Sequence, residues 1–122
     1  MRIGLVSYRC KNRDVPFNLR QIERAMKEAE GKAELLCFGE AFLQGFDALC
    51  WEFDRDKEIA LELSSEPIAR LRSWTVRYGV SLAVGYIEKD LEKLYSSYVV
   101  LSATRCTDTT CRARGSFRTS AS

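Results

Sequence analysis

Short apolar segments alternate with amphipathic ones through the first hundred residues, and this alternation restricts the fold more than any other feature of the chain. Residues 2–8 and 33–38 are short and apolar, which predicts two buried strands. Between them, Asn18 followed by Gln21 predicts the N-cap and capping-box partner of a helix that Gly31 ends. The strand–helix–strand order favours parallel pairing through a right-handed crossover. The predicted helix carries an apolar stripe at helical spacing, made by Leu19, Ile22, Met26 and Ala29.

The same kind of pattern continues after residue 50. The charged stretch 54–63 predicts a short helix, and a longer amphipathic helix follows it and ends at Gly79. Residues 80–86 and 94–101 predict two further strands, paired as a hairpin across a charged turn at 88–93. The resulting order, β-α-β-α-β-β, predicts an α/β fold built in layers.

The character of the sequence changes at residue 102. Residues 103–122 are rich in threonine, serine and arginine, and Phe117 is their only sizeable apolar side chain. Such a segment buries too little surface to offset its chain entropy, so we predict that it is disordered. The chain therefore divides into a domain at 1–102 and a tail at 103–122. The tail is explained either by a natural disordered segment or by translation out of the ancestral reading frame.

Charge and hydropathy exclude several classes of protein. The 19 basic and 17 acidic residues leave a net charge of +2, and no basic patch with interleaved aromatic residues marks a nucleic-acid surface. No apolar run approaches the roughly 18 residues that predict a membrane span, and the polar sequence after the first few residues does not resemble a signal peptide. We therefore expect a cytoplasmic protein that contacts neither nucleic acid nor membrane.

The chain has no histidine, which removes common catalytic and metal-binding arrangements. A Ser-His-Asp triad needs histidine, and the common zinc patterns need histidine or CxxC pairs, which are also absent from the sequence. Cys37 lies inside an apolar strand without a neighbouring cation, so we predict a small core residue rather than a nucleophile. The five cysteines are irregularly spaced and expected to be reduced: Cys10, Cys37, Cys50, Cys106 and Cys111.

Glu40 is the strongest candidate for chemistry. It follows the strand at 33–38 directly after a glycine, and ligands in α/β folds gather at the carboxyl ends of parallel strands. Packed among Phe38, Phe42 and Phe46, its carboxyl group would be partly desolvated, which suits a general base. The alternative is a solvated loop acid, since only some strand-end carboxylates are catalytic.

The stretch 35–46 resembles the first catalytic-glutamate motif of the nitrilase, or carbon–nitrogen hydrolase, superfamily. In that motif a buried strand leads into a Pro-Glu pair and then into a Gly-aromatic pair. Gly39-Glu40 and Gly45-Phe46 stand at those places here. Further segments are similar to the family in the right order: residues 2–6 with Asn18 opening a helix, then 78–86 and 94–100. The resemblance covers residues 1–102 and depends on this ordered set.

The resemblance implies a fold that this chain would fill only in part. The family fold is an α-β-β-α sandwich with two sheets inside and helices outside. This chain would supply roughly one sheet and its outer helices, so an apolar sheet face would stay uncovered and a homo-oligomer becomes a natural expectation. The residues expected on the uncovered face are Leu82, Val84, Val99 and Val100.

The resemblance also implies a reaction. The family hydrolyses amide or nitrile C–N bonds with a Glu-Lys-Cys triad that needs no metal or organic cofactor. Only the general base is carried over, as Glu40. No lysine follows Lys93, and Cys106 and Cys111 come too early for the nucleophile. The implied protein is a truncated hydrolase that is inactive alone.

Two other classes of function stay open on the sequence. A non-catalytic interaction module would pair its uncovered sheet face with a second polypeptide that supplies the lysine and the cysteine. A small flavodoxin-like binding domain is the other alternative, although no glycine-rich phosphate loop follows the first strand. Nucleotide or flavin binding would favour the flavodoxin-like domain.

Overall fold

The computed structural model of the chain describes residues 1–50 and 52–103, and the backbone of residues 109–113. The strands form one sheet in sequence order, with the first three parallel and the last two antiparallel to their neighbours. The predicted α/β class is confirmed. Within the described ranges, no helix is long and apolar enough to cross a membrane. The elements are β1 (Ile3–Leu5), α1 (Val15–Ala29), β2 (Leu35–Cys37), α2 (Phe53–Asp56), α3 (Glu66–Tyr78), β3 (Ser81–Asp90), β4 (Lys93–Leu101) and β5 (Thr109–Ala113).

Helix α1 begins one turn before the predicted cap. Asp14 is its N-cap, and the Asp14 side chain accepts a hydrogen bond from the Phe17 N–H at 3.0 Å. The prediction that Asn18 caps the helix with Gln21 as its partner is wrong. Asn18 is fully buried, and its side chain bonds to loop backbone instead. The predicted apolar stripe is confirmed as the buried face of the helix: Leu19, Ile22, Met26 and Ala29.

Helix α3 contacts α1, and both pack on the same face of the sheet. Ser65 is its N-cap and Pro67 lies in its first turn. The helix ends at Gly79, as predicted, because Gly79 has a φ of 67°, a left-handed conformation that favours glycine. Ile68 and Leu71 are fully buried between α3 and the rest of the core.

The two faces of the sheet differ in exposure. Alternate strand residues lie under the helices and are buried: Leu36, Leu82, Val84, Val99 and Leu101. On the other face, which we call the open face, Leu5 is 84% exposed and Ile3 is 55% exposed. The half-buried members of the open face are Leu35, Cys37, Ala83 and Val100.

Two predictions about these faces are wrong. The first strand is not buried, because β1 lies at the sheet edge and the helices cover only its opposite side. Leu82, Val84 and Val99 are not on the uncovered face, which shares only Val100 with the predicted set. The alternation of a strand defines two faces without saying which one the helices cover, and a shift of one residue exchanges them.

The hairpin of β3 and β4 is longer than predicted. β3 continues to Asp90 and β4 begins at Lys93, so the charged turn predicted at 88–93 shrinks to two residues. Glu88 is buried within the sheet, where its Oε1 accepts a hydrogen bond from the Ser97 hydroxyl at 2.8 Å. The strand therefore extends through residues that the charge pattern assigned to solvent.

Helix α2 is shorter than the helix predicted at 54–63, because the chain beyond it bonds to the end of β3. The Leu61 N–H donates to the Ile87 carbonyl at 2.9 Å, and the Lys89 N–H donates to the Leu61 carbonyl at 2.8 Å. These bonds form a parallel bridge in place of the later helical turns.

The proposed division at residue 102 stays a prediction. The backbone of Thr109–Ala113 forms β5, which pairs with β4 between Ser96 and Val100. The other parts of the predicted tail, residues 104–108 and 114–122, lie outside the described residues.

Candidate active site

The segment 39–50, which we call the glutamate loop, leaves the carboxyl end of β2 and folds over the far part of β3. Ala41 packs against Ile87, and the Leu43 N–H donates to the Gly85 carbonyl at 3.2 Å. A Cβ built at Gly85 would lie only 2.4 Å from the Gly39 carbonyl oxygen and 2.8 Å from the Glu40 Cα. The loop therefore approaches the strand closely because Gly85 has no side chain.

Two buried amide side chains anchor the glutamate loop. The Gln44 Nε2 donates to the carbonyls of Ile87 at 2.9 Å and Ile59 at 3.1 Å. The Gln44 Oε1 accepts from the Ile87 N–H at 2.9 Å. On the other element, the Asn18 side chain donates to the Leu43 carbonyl at 3.0 Å. Gln44 thus fixes the loop to β3, and Asn18 fixes it to α1.

Glu40 lies at the start of the glutamate loop, three residues after β2 ends at Cys37, so it follows a strand end as the sequence predicted. Its Oε1 accepts a hydrogen bond from the hydroxyl of Ser96 on β4 at 3.0 Å. Ser96 belongs to the open face, since it alternates along β4 with the buried Ser97. The carboxylate is exposed, so it is accessible to a group that approaches over the open face.

The predicted aromatic surroundings of Glu40 are wrong. Phe38 and Phe42 are buried in the main core with ring centroids 5.0 Å apart, and Phe46 is 66% exposed. The backbone turns between the two buried rings, and Ala41 has a φ of 51°. Because of this turn, the rings meet each other while Glu40 remains in solvent. Desolvation by these aromatic residues is therefore not a feature of the site.

Tyr98 is a second polar group near Glu40. It pairs with Gly85 across the hairpin and lies two residues from Ser96 on the same face of β4. Burial raises the pKa of Tyr98, and the negative charge of Glu40 raises it further. Glu40, Ser96 and Tyr98 therefore form a polar cluster at the edge of an apolar face.

Sequence reasoning found only one member of this cluster. The alternation along 94–101 already placed Ser96 and Tyr98 on one face of the strand. Nothing in the sequence said that this face meets the loop that carries Glu40, because the hairpin register and the close approach at Gly85 are tertiary features.

The described cysteines do not form part of the polar cluster. Cys37 is half-buried on the open face, in register with Leu5 and Ala83. Cys50 is exposed, with its Sγ 3.3 Å from an Asp56 oxygen. The side chains of Cys106 and Cys111 lie outside the described residues. Among the residues that are described, no group of three His, Cys, Asp or Glu side chains could hold a metal ion.

The fold and the glutamate loop together define a class of protein. The chain matches the carbon–nitrogen hydrolase family over residues 2–114, and it belongs to that family. This confirms the resemblance drawn from the motif at 35–46. None of the curated proteins matches the chain.

Solved structures share the same fold at low sequence identity. XC1258 from Xanthomonas campestris, a CN-hydrolase superfamily protein with an arsenic adduct in its active site, superposes with a TM-score of 0.79 at 16% identity, over 94% of this chain and 41% of that one. A cysteine-to-serine mutant of the Nesterenkonia AN1 amidase, from the nitrilase superfamily, superposes with a TM-score of 0.77 at 20% identity, over 97% of this chain and 45% of that one. A glutamine-dependent NAD(+) synthetase from Cytophaga hutchinsonii superposes with a TM-score of 0.65 at 18% identity, over 84% of this chain and 17% of that one.

The likeness confirms the partial nitrilase-like fold class. The chain spans less than half the length of each of these three structures. The flavodoxin-like alternative gains no support from these matches.

Proposed function

We propose that this chain supplies the general base of a carbon–nitrogen hydrolase that acts on small amides or nitriles, and that Glu40 is that base. The observation that supports this role is the position of the carboxylate. It follows a parallel strand at its carboxyl end, is exposed toward the open face, and has one oxygen bound by Ser96. The membership of the chain in the family supplies the reaction class.

In the proposed amide reaction, the carboxylate takes the proton of a cysteine thiol as the sulfur attacks the carbonyl carbon. A lysine stabilises the tetrahedral oxyanion. When that intermediate collapses, the C–N bond breaks and the amine leaves with the proton that Glu40 returns. Water then attacks the thioester while Glu40 accepts its proton, and the proton passes to the departing thiolate.

The lysine and the cysteine of this reaction would come from outside the described residues. No lysine follows Lys93 in the sequence, and no described cysteine lies in the cluster with Glu40. We therefore propose that the chain alone has no measurable turnover. A double mutant of the Nesterenkonia amidase, with a glutamate and a cysteine replaced, is known in complex with acrylamide. Acrylamide is accordingly a reasonable first substrate to test.

The exposed open face favours a second candidate, a non-catalytic interaction module. Leu5 and Ile3 are largely exposed in a sheet whose other face packs under the helices. A partner polypeptide with an apolar sheet could pack there at the usual spacing of about 10 Å. In this candidate the chain binds its partner but Glu40 transfers no proton.

The experiment measures ammonia release from acrylamide by the full chain, alone and co-expressed with the C-terminal part of the Nesterenkonia amidase. We expect no release from the chain alone. The pair should release ammonia, and Glu40→Gln should reduce the rate about 10²–10⁴-fold, the usual contribution of a general base. Glu34→Gln, at an exposed acid that begins the same strand region, is the control and should have no effect.

The outcomes separate the two candidates. Turnover by the chain alone that persists in Glu40→Gln would refute the general-base proposal. A stable complex without turnover, unaffected by Glu40→Gln, would favour the interaction module.

A further inference from the structure

The carboxylate of Glu40 has two oxygens in different situations. Oε1 accepts the Ser96 hydroxyl hydrogen bond at 3.0 Å. Oε2 has no hydrogen-bond partner among the described residues. An exposed glutamate side chain has several freely rotating bonds, so a single hydrogen bond to one oxygen determines how the other one is presented.

We infer that Ser96 is a positioning residue for the general base: its hydroxyl holds Oε1 of Glu40 and leaves Oε2 as the oxygen that accepts the nucleophile's proton. This inference depends on the proposed function of Glu40, and it adds a residue for which the sequence motif at 35–46 gave no sign. Ser96 itself touches neither the substrate nor the reacting atoms in this scheme.

Two strands position the Glu40 side chain: the backbone of Gly85 on β3 contacts its Cα, and the hydroxyl of Ser96 on β4 binds its carboxylate. Gly85 sets the height of the Glu40 Cα above β3, since a Cβ there would lie 2.8 Å from that atom. Ser96 pairs with Ile87, the next residue of β3 on the open face, and reaches the carboxylate from β4. The hairpin register therefore fixes both ends of the Glu40 side chain.

Tyr98 offers an internal check on this geometry. It pairs with Gly85, and the charge of Glu40 contributes to its raised pKa, after the larger effect of burial. A carboxylate that leaves its position beside Ser96 changes its distance to the Tyr98 phenol, so the titration of Tyr98 reports on the carboxylate without any need for catalysis.

The test compares the wild-type full chain with Ser96→Ala and Ser96→Thr, using NMR on glutamate-labelled protein. The three-bond Hα–Hβ couplings and side-chain relaxation of Glu40 measure its rotamer averaging. We expect one dominant rotamer in wild type and Ser96→Thr, which keeps a hydroxyl, and averaged rotamers in Ser96→Ala. Tyr98 should titrate at a different pH in Ser96→Ala and at the wild-type pH in Ser96→Thr. Equal averaging of Glu40 in wild type and Ser96→Ala would overturn the inference.

A second arm separates this inference from the proposed function. In the co-expressed pair, Ser96→Ala should lower kcat about tenfold or more while KM stays within twofold, since misplacing a catalytic group costs rate rather than substrate affinity. Ser96→Thr should recover most of the loss. If Glu40→Gln abolishes turnover and Ser96→Ala leaves kcat unchanged, Ser96 has no positioning role and the general base stands. If Glu40→Gln has no effect, the proposed function itself is wrong.

Discussion

Gly85→Ala is the smallest change that tests how the glutamate loop is built. The added Cβ would lie 2.4 Å from the Gly39 carbonyl oxygen and 2.7 Å from the Ala41 nitrogen, whereas ordinary contacts of a Cβ begin near 3.4 Å. The loop and β3 would therefore have to separate by about 1 Å. Both obstructing atoms belong to backbone, so no flexible side chain can yield instead.

The expected loss of stability is about 2–3 kcal/mol, the upper part of the range for overpacking a well-packed site. Urea unfolding followed by circular dichroism measures this loss as a lower midpoint with an unchanged slope. In the co-expressed pair, displacement of Glu40 by about 1 Å should also lower kcat on the order of 100-fold.

Gly39→Ala is the matched control. A Cβ at Gly39 meets nothing within 4 Å, and its backbone is not in the left-handed region. This substitution should be neutral or stabilise the chain by up to about 1 kcal/mol, because alanine restricts the unfolded chain. A Gly85→Ala variant that unfolds at the wild-type urea concentration, with unchanged amide shifts in the loop, would refute the close approach of loop and strand.

Three further predictions concern the loop anchor, the cluster and the open face. Gln44→Leu should cost about 2 kcal/mol in urea unfolding, because it leaves the buried Ile87 N–H without a partner and leaves the Ile87 carbonyl with only its bond from Leu61; a loss under about 1 kcal/mol would contradict this role. The pKa of Tyr98 is raised in the folded state, so its contribution to stability is complete below its ordinary value of 10.0 and is lost as pH rises through the folded value. Tyr98→Phe should therefore make the free energy of unfolding depend less on pH above 10.0. An unchanged pH dependence would contradict this prediction. Leu5→Lys should reduce the binding of a dye to apolar surface without loss of stability, whereas Leu36→Lys should unfold the chain; equal effects of the two would mean that the open face is covered.

Local patterns predicted the parts of the fold that local physics decides. The apolar stripe of α1 and the end of α3 at Gly79 follow from helical spacing and from the conformation that glycine favours. The position of Glu40 after a strand end follows from the same kind of pattern. These features depend only on a few neighbouring residues, so a short stretch of sequence is enough to predict them.

The wrong predictions concern positions where the local sequence allows two alternatives equally well. Asp14 and Asn18 are both good N-caps by type, and the buried contacts of Asn18 with the glutamate loop decide between them. Likewise, strand alternation gave two faces for β3 without saying which one the helices cover. Ser96 joined the candidate site only through the hairpin register, a relation between distant residues that no local pattern carries.

The hydrogen bonds at Ile87 have a consequence for how the molecule opens. Both Gln44, from the glutamate loop, and Leu61, from the segment after α2, bond to the backbone of this one residue. Gln44 also donates to the Ile59 carbonyl at 3.1 Å, so the loop is bonded to the segment that contains Leu61 as well as to β3. We therefore expect the loop and that segment to open as one cooperative unit in hydrogen exchange, with one opening free energy shared by the amides of Leu43, Leu61 and Ile87. Access to the backbone beneath Glu40 would then require local unfolding of that unit rather than motion of the loop by itself.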